Sequence, residues 1–571
     1  MSVERRPFLD WRIWLATPVA LALLNASVTF ENVWPTPKIR WANALSIELA
    51  VCVLLLVVAH RWAGGLTRRV LPVLWVVLVA GHYLDETAPG LYGREFNLYW
   101  DSQHLGNVFA MLARAAPLWL IGLAGAVLVA VVWAVYALSR LAFRQLGDAV
   151  ATPGGRRVLG TVGASLALVF AAQQALASSA VALTFADPVT PAYVRQARFV
   201  LSMLGPDAVQ PALGPSPDLT TSLAGLGGAD VLLVFVESYG AVTYETPAIA
   251  DGLVASRADV ASAVEETGRQ VVTAYVESPT FGGSSWLAHL SLISGVEVRD
   301  QYAYTSLMAS KRDTLLTNFA RRGYRTVALM PGMRQAWPEG AFYRFDQIYG
   351  RDLLEYQGPQ FGWWSIPDQY ALAKLDALER ASSPRAPLFI VFPTSTTHAP
   401  FGPVAPYQPE WSRLLTTNAF EPGDVERAMA ARPDLTNLRP SYVQAMAYEY
   451  ATIAGYLRQH PRDDMVLIAI GDHQPPAAVS GRGAPWSVPV HVVGRRGRIL
   501  DRLIEHGFRP GLVPDRPAIG PMHALVSKLL DAFSSAPGAG NELLRQAERQ
   551  PSAADGERQQ TAKHGWAVRV R

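Results

Sequence analysis

Cysteine is almost absent from this sequence, which contains a single one, Cys52, among 571 residues. An internal disulfide therefore cannot form, and a zinc site built from cysteines is excluded. A large excess of charge of one sign is also missing, since 50 Lys and Arg residues balance 47 Asp and Glu residues and leave a formal net charge of +3. So balanced a charge gives no indication of a nucleic-acid partner.

Hydrophobic residues, by contrast, are abundant and make up 50% of the chain. Most of the excess lies before residue 185. A membrane-spanning helix needs about 20 mainly apolar residues. Five segments approach this requirement, at about Trp11–Phe30, Ala44–His60, Val70–Tyr83, Ala116–Leu138 and Val158–Ala177. We therefore predict an α-helical transmembrane bundle of five spans in residues 1–185.

Basic residues in the loops indicate how this bundle is oriented, because cytoplasmic loops carry the excess of Lys and Arg. Arginines are concentrated before or at the start of the first segment, between the second and third, and between the fourth and fifth. The other two loops are mixed in charge. The N-terminus is therefore expected in the cytoplasm, and everything after the fifth segment outside it. This orientation requires an odd number of spans. If the third segment only lies at the membrane surface, the residues after the fifth segment would be in the cytoplasm instead.

The pattern changes after residue 185. Residues 186–228 include six prolines and are predicted to be a linker. In residues 229–533, apolar runs alternate with helical stretches, which is typical of an α/β domain with a largely parallel sheet. The predicted strands are Val231–Val236, Val271–Val276, Arg325–Met330, Leu388–Phe392, Met465–Ile470 and Val488–Val493, and the predicted helices include Lys311–Arg322, Asp368–Arg380, Tyr442–Gln459 and Met522–Phe533. The polar residues 534–571 are predicted to be disordered.

Two apolar runs of the predicted sheet end in residues suited to binding a metal. Glu237 follows Val231–Val236, and a buried carboxylate there is costly unless it is paired or metal-bound. Asp472 and His473 follow Met465–Ile470, and they offer a hard oxygen ligand and the commonest nitrogen ligand. Capping of the next turn is the alternative for each. Because ligands collect at the carboxyl ends of strands in an open α/β sheet, these residues are predicted to converge.

A third motif is the small-residue turn FGGSSW, in which Ser284 and Ser285 open a helical pattern. Its two glycines permit tight backbone geometry and close approach of a ligand. A Ser at a helix N-terminus lies where free N–H groups and the helix dipole favour an anion such as a phosphoryl group. Its hydroxyl is a candidate nucleophile, activated by one divalent metal. Ser is equally a common N-cap residue, and the turn alone leaves Ser284 and Ser285 as alternatives.

Histidines elsewhere in the second half are further candidates. His398 lies just past the run Leu388–Phe392, where it could hydrogen-bond a phosphoryl oxygen or donate a proton to a leaving group. The alternative is a loop histidine with a structural hydrogen bond. His289, on the helix after Ser285, and His491, within a strand pattern, are expected to be structural.

Taken together, the membrane part and these motifs resemble the alkaline phosphatase superfamily, specifically its membrane-anchored, sulfatase-like branch. Lipoteichoic acid synthases, phosphoglycerol transferases and lipid A phosphoethanolamine transferases belong to this branch. The resemblance implies an alkaline-phosphatase-like α/β domain in residues 229–533. It also implies that a multi-pass membrane part holds this domain in the periplasm or outer face of a bacterial inner membrane.

The resemblance assigns roles to single residues. The metal ligands of the family fall on Glu237, Ser285, Asp472 and His473, and Ser285 is also the nucleophile. Counting back along the helix from the dipeptide SG favours Ser285 over Ser284. The substrate-side histidine falls on His398 and a family tryptophan on Trp337.

Three departures from the family patterns argue against particular activities found in the family. Glu339 occupies the position nearest to an arginine expected beside Trp337, which puts a glycerol-phosphate polymerase in doubt and leaves Arg334 or Arg344 as substitutes. The C/S-x-P-x-R signature of sulfatases is absent from the segment SWLAH, which opposes true sulfatase activity. The disulfides typical of lipid A phosphoethanolamine transferases are also missing.

The predicted function is transfer of a phospho-head group, phosphoglycerol or phosphoethanolamine, from a membrane phospholipid to a glycan or lipid acceptor. The reaction would pass through phospho-Ser285 and use one divalent ion, Mn²⁺ or Zn²⁺. An extracytoplasmic phosphodiesterase or phosphatase with the same site, using water as acceptor, is the alternative. A membrane protein that recognises a partner without catalysis is the third reading.

Overall fold

A computed structural model describes residues 11–32, 39–61, 65, 69–92, 96–103, 118–176, 184–204, 213–333, 337–362, 366–381, 384–481 and 483–534. Within the chain, contacts separate two units with a boundary near residue 210. The predicted disordered tail lies outside the described residues from residue 535 onward.

The first unit is helical. Its helices are Trp11–Ala26, Ile47–Val58, Leu71–Tyr92, Leu98–Gln103, Leu118–Ala151, Pro153–Leu176 and Thr190–Leu204, and a small antiparallel pair joins β1 (Phe30–Asn32) to β2 (Ile39–Trp41). A helix lies in each of the five segments predicted to span a membrane. The helix Thr190–Leu204 also shows that part of the predicted linker has regular structure.

Two helices among the described residues, Leu118–Ala151 and Pro153–Gln174, are long and apolar enough to cross a membrane, with mean hydropathies of 2.5 and 1.2. The helices Trp11–Ala26 and Ile47–Val58 have 16 and 12 residues, fewer than the roughly 20 that a span needs. Leu71–Tyr92 has 22 residues but includes two acidic side chains. The structure therefore supports two of the five predicted spans.

The helix Leu118–Ala151 leaves large apolar side chains uncovered by protein. Trp119 and Trp133 are 70% and 69% exposed, and several valines and leucines on the same helix are similarly exposed. A continuous apolar surface of this kind marks an interaction with lipid or another protein. Lipid fits the length of the helix.

The second unit contains an eight-stranded sheet. Its strands are β3 (Asp230–Val236), β4 (Gln270–Glu277), β5 (Arg325–Leu329), β6 (Gln347–Tyr349), β7 (Leu388–Pro393), β8 (Met465–Gly471), β9 (Ser487–Gly494) and β10 (Arg509–Pro510), in the order β10-β4-β9-β8-β3-β7-β5-β6. The six predicted strands are confirmed. The short strands β6 and β10 add to them, and β9 and β10 run antiparallel to their neighbours. The sheet is thus largely parallel, as predicted.

Helices cover both faces of this sheet. The α-helices are Val242–Glu245, Pro247–Ala250, Val254–Glu266, Ser285–Ser294, Gln301–Met308, Leu315–Arg321, Arg351–Leu354, Asp368–Leu375, Pro422–Ala430, Arg439–Gln459, Ala477–Ser480, Gly497–Glu505 and Leu525–Ser534. Shorter 3₁₀ turns lie at Ala224–Leu226, Asp251–Leu253, Pro338–Phe342, Trp411–Leu415 and Met522–Ala524, and a π turn lies at Asp376–Arg380. Alternate residues of β3 enter two separate hydrophobic cores, Leu232 and Val234 on one face and Leu233 and Phe235 on the other. Burial on both faces explains why the central strands are apolar throughout.

The three central strands bring the predicted motifs to one edge of the sheet. β3 pairs in parallel with both β7 and β8, with Phe235 opposite Pro393 and Val236 opposite Gly471. Residues that directly follow these strands therefore meet at the same edge, which is the convergence predicted from the sequence.

Candidate active site

The hydroxyl of Ser285 lies between two of the predicted metal ligands. Ser285 is the first residue of the helix Ser285–Ser294, and its Oγ donates a hydrogen bond to Glu237 Oε2 at 2.9 Å. The same oxygen lies 3.1 Å from His473 Nε2. Ser284, the alternative nucleophile, precedes the helix with a left-handed backbone (φ 62°) and makes no side-chain capping bond. This geometry favours Ser285 as the reacting hydroxyl.

The turn after β3 fixes the carboxylate of Asp472. The backbone N–H groups of Ser238 and His473 both donate to Asp472 Oδ1, at 2.8 and 2.7 Å. This packing demands glycine at position 471, because a Cβ there would lie 1.8 Å from the carbonyl oxygen of Tyr239. One carboxylate oxygen is thereby held by the backbone, and the other is left facing the site.

The residues present fit a divalent metal ion. Among the described residues, Glu237, Asp472 and His473 form a buried group whose ligand atoms all lie within 4.8 Å of one another. Asp472 Oδ2 is buried without a hydrogen-bond partner, which is costly unless a cation binds it. His473 Nδ1 donates to the Gln474 carbonyl at 2.8 Å, so the lone pair of the neutral ring is on Nε2, 3.3 Å from Glu237 Oε1. Two carboxylates, one imidazole and one hydroxyl suit Mn²⁺ or Zn²⁺.

The charges at the site perturb one another strongly. Burial raises the pKa of Asp472, and the Glu237 carboxylate raises it further. Burial alone would raise the pKa of Glu237, but the imidazoles of His473 and His398 outweigh burial and lower it. Burial alone would lower the pKa of His473, but the Asp472 and Glu237 carboxylates raise it to about 9. Without a metal ion, protonated His473 is therefore the cation that balances these carboxylates.

This balance predicts a pH-dependent metal affinity. His473 must lose its Nε2 proton before that nitrogen can bind an ion, and its pKa is about 9. We expect the association constant for Zn²⁺ to rise about tenfold per pH unit between pH 6.5 and 8.5, with release of one proton. Calorimetric titrations in buffers of different ionisation enthalpy measure both quantities. The control variant His506→Asn, outside the site, should keep the slope, and an affinity independent of pH would contradict the prediction.

The other predicted site residues lie in different surroundings. His398, in the loop after β7, is near enough to lower the pKa of Glu237, and its Nδ1 donates to the Ala399 carbonyl at 2.7 Å. Trp337 packs on Tyr343, with ring centroids 5.1 Å apart, in an aromatic cluster against the core. Arg344 has a left-handed backbone, and Arg334 lies outside the described residues. Substrate contact by His398 and Trp337 stays a prediction.

His289 lies closer to the site than the sequence indicated. Its Nε2 is 3.7 Å from Asp472 Oδ2, and its ring packs on Phe235 at 4.3 Å. The spacing of four residues from Ser285 places both side chains on one face of the helix, which is the signal that sequence reasoning passed over. His289 therefore lies beside a predicted metal ligand, Asp472, and its ring also makes the structural contact expected of it.

A known protein family matches part of the second unit. Residues 284–489 match the family model described as Sulfatase. This stretch is similar to a sulfatase domain. The match includes Ser285, His398, Asp472 and His473, whereas Glu237 precedes it. The resemblance to the sulfatase-like part of the alkaline phosphatase superfamily is thereby confirmed. Comparison of the sequence with curated proteins finds no match.

Several solved structures are similar to this chain. The integral membrane lipooligosaccharide phosphoethanolamine transferase A of Neisseria meningitidis is 15% identical, with 91% of this chain and 95% of that chain covered and a TM-score of 0.42. A lipoteichoic acid synthase from Listeria monocytogenes is 12% identical (58% and 79% covered, TM-score 0.35). A Streptococcus pyogenes phosphoglycerol transferase in complex with sn-glycerol-1-phosphate is 11% identical (59% and 93% covered, TM-score 0.33).

Proposed function

We propose that the sulfatase domain transfers a phospho-head group, phosphoglycerol or phosphoethanolamine, from a membrane phospholipid to a glycan or lipid acceptor outside the cytoplasm. The observation that supports this most is the position of the Ser285 hydroxyl. It is hydrogen-bonded to Glu237, close to His473 and at the N-terminus of a helix. A hydroxyl between a carboxylate and an imidazole, where a helix end favours a phosphoryl group, suits nucleophilic attack on phosphorus.

The residues divide the reaction between them. A divalent ion, Mn²⁺ or Zn²⁺, bound by Glu237, Asp472, His473 and Ser285, would supply Lewis-acid stabilisation of negative charge in the site. The Ser285 hydroxyl gives its proton to solvent, from which it recovers one at the end of the cycle, and its Oγ attacks the phosphodiester. The oxygen of diacylglycerol leaves with a proton from His398 Nε2. The head group then remains on Ser285 as a phosphodiester. The acceptor hydroxyl gives its proton to His398, attacks phosphorus and releases Ser285.

A cleft beside His398 supports a small head group as the transferred unit. It encloses about 350 Å³ of space, part of which is open to solvent. Its lining residues are Phe361, Gly362, Ile366, Pro367, Ser395, Thr396, His398, Gly402, Pro403 and Ala405. Trp337 is proposed to contact the substrate from another side.

The apolar helices of the first unit support access to a lipid donor. The proposed protein is a multi-pass protein of the bacterial inner membrane, with spans within residues 1–185, a linker over 186–228 and the catalytic domain over 229–533 in the periplasm or outside the cell. The two long apolar helices support membrane attachment, and the five-span arrangement belongs to the proposal. The donor and acceptor would then meet at the outer surface of that membrane.

Hydrolysis is the second candidate function. The family match favours it, because the matched model is named for a class of hydrolase. The same Ser285 intermediate would then be released by water as a phosphodiesterase or phosphatase product. Glu237, Asp472 and His473 would have the same roles in either reaction.

One experiment tests both candidates. The full-length protein, purified in detergent without chelator, is incubated with phosphatidylglycerol or phosphatidylethanolamine labelled in the head group. We expect one Mn or Zn per chain, and label bound to the peptide that contains Ser285. Transfer of label to an added glycan or glycolipid supports the transferase, whereas label released only as free head-group phosphate supports the hydrolase. Metal binding without label from either lipid would contradict both lipid-directed functions.

A further inference from the structure

Two carboxyl groups are buried together outside the metal site. Asp368 begins the helix Asp368–Leu375 and has no exposed surface, and Glu449 lies within the helix Arg439–Gln459 with 1% exposed. Both belong to the side of the domain that carries the loop after β7. An ionised carboxyl group is costly to bury unless hydrogen bonds satisfy it, so each needs a partner.

Asp368 finds its partners in that loop. Ser395 donates its backbone N–H to both carboxylate oxygens at 3.0 Å and its hydroxyl to Oδ1 at 3.1 Å. Thr396 donates its N–H and its hydroxyl to Oδ2 at 2.7 and 2.5 Å. The two backbone groups can only donate, so both oxygens of Asp368 act as acceptors toward the loop. Five hydrogen bonds thereby fix two consecutive loop residues.

Glu449, in contrast to Asp368, lacks hydrogen-bond partners. Neither of its carboxyl oxygens has a hydrogen-bond partner by distance and angle, although both are buried. Burial raises the pKa of Glu449 well above its ordinary value, and the charge of Asp368 raises it further. A neutral carboxyl group costs less to bury than an ionised one, so protonated Glu449 is stable in this position without a cation.

The loop that Asp368 holds leads directly to His398. The backbone N–H of His398 donates to the Ser395 carbonyl at 3.2 Å, which closes the turn over residues 395–398. Ser395, Thr396 and His398 all line the cleft beside the site. A displacement of Ser395 would therefore move the imidazole and the cleft wall together.

We propose that Glu449 stays protonated in its buried position, while Asp368, the acceptor of five hydrogen bonds, anchors Ser395 and Thr396 and thereby positions His398. The role of His398 in this inference rests on the proposed function. The protonation of Glu449 is independent of that function. Asp368 and Glu449 are positioning residues, since neither lines the cleft.

Two isosteric substitutions in the full-length protein test where the proton lies. Glu449→Gln keeps an uncharged group of the same shape, and kcat for a chromogenic phosphodiester should stay within about twofold of the wild type. Asp368→Asn places an amide N–H₂ against the N–H groups of the loop. It should lower kcat about 10²-fold, because misplacing a reacting group by about 1 Å costs that much. Bound metal should be unchanged in both variants. Tolerance of Asp368→Asn, or an equal loss in both, would overturn the proposal.

Two further tests apply if Asp368→Asn does not fold or if the wild-type protein hydrolyses no phosphodiester. If Asp368→Asn does not fold, Thr396→Val removes one donor and should lower kcat about tenfold, and Thr396→Ser should restore it. Full activity of Thr396→Val would overturn the positioning role. If the wild-type protein hydrolyses no phosphodiester, the proposed function fails, but the urea midpoint still reports on the proton. It should be unchanged in Glu449→Gln and lowered in Asp368→Asn, and the reverse order would overturn the assignment.

Discussion

Replacing Ser285 with Ala is expected to lower kcat by about 10⁴-fold or more, because removal of a nucleophile that acts together with its partners eliminates the covalent route. The label from the lipid head group should no longer be found on the protein. The three other proposed metal ligands remain, so bound metal should fall less than activity. The fold should be unaffected, since Ala is a good helix residue and Ser285 is only half-buried. Single-turnover labelling, metal analysis and thermal unfolding measure these effects separately.

Ser284→Ala is the matched control for this prediction. The change in chemistry is the same and the position differs by one residue, but the Ser284 hydroxyl makes no capping bond at the helix start. Its kcat should stay within about threefold of the wild type, since surface changes away from functional contacts cost little. Loss of activity in Ser284→Ala with full activity in Ser285→Ala would move the nucleophile by one residue.

Asp472→Asn is expected to weaken metal binding more than about 10²-fold, a larger loss than that from groups that only orient a ligand, and to abolish turnover. The amide oxygen can still accept the N–H groups of Ser238 and His473, which bind Asp472 Oδ1. The other oxygen, Oδ2, becomes an uncharged N–H₂ group that cannot bind the ion. The substitution therefore removes the ligand while preserving the turn that holds it.

Although Asp472→Asn weakens metal binding, it should make the metal-free protein more stable. In the metal-free protein, burial and the neighbouring Glu237 carboxylate raise the pKa of Asp472, so its ionised form is unfavourable there. Removing this charge should raise the unfolding temperature in EDTA, while the further increase caused by added Mn²⁺ or Zn²⁺ should disappear. Asp531→Asn, which alters a partly exposed ion pair with Arg502, is the control and should change neither. Wild-type metal affinity in Asp472→Asn would contradict the assignment.

The buried strands could be predicted from the sequence because they are apolar on both faces and end in polar residues. β3, β7 and β8 have this pattern, and their predicted bounds agree with the structure within one or two residues. β6 and β10 have only three and two residues, which is too short for a periodic pattern. The direction of β9 was equally inaccessible, since a buried antiparallel strand is as apolar as a parallel one.

The metal-site candidates could be predicted because each contrasts in polarity with the apolar run before it. Glu237 and Asp472 each interrupt a buried segment, and this contrast is visible in one dimension. Asp368 and Glu449 carry no such signal, because they occupy ordinary helical positions and are 81 residues apart in the chain. The contact of Asp368 with the loop after β7 exists only in the folded domain. Membrane spans were over-predicted where the apolar helices end after 12 or 16 residues.

The ligands of the candidate metal site come from distant parts of the chain. The contacts of Ser285 with Glu237 and His473 close separations of 48 and 188 residues. Closing such loops costs conformational entropy, which grows slowly with their length. An ion that binds only the closed arrangement stabilises the folded state in proportion to the logarithm of its concentration. In a chain whose one cysteine precedes this domain, the metal would thus act as the cross-link that a disulfide provides elsewhere, and its supply would set how firmly the domain stays folded.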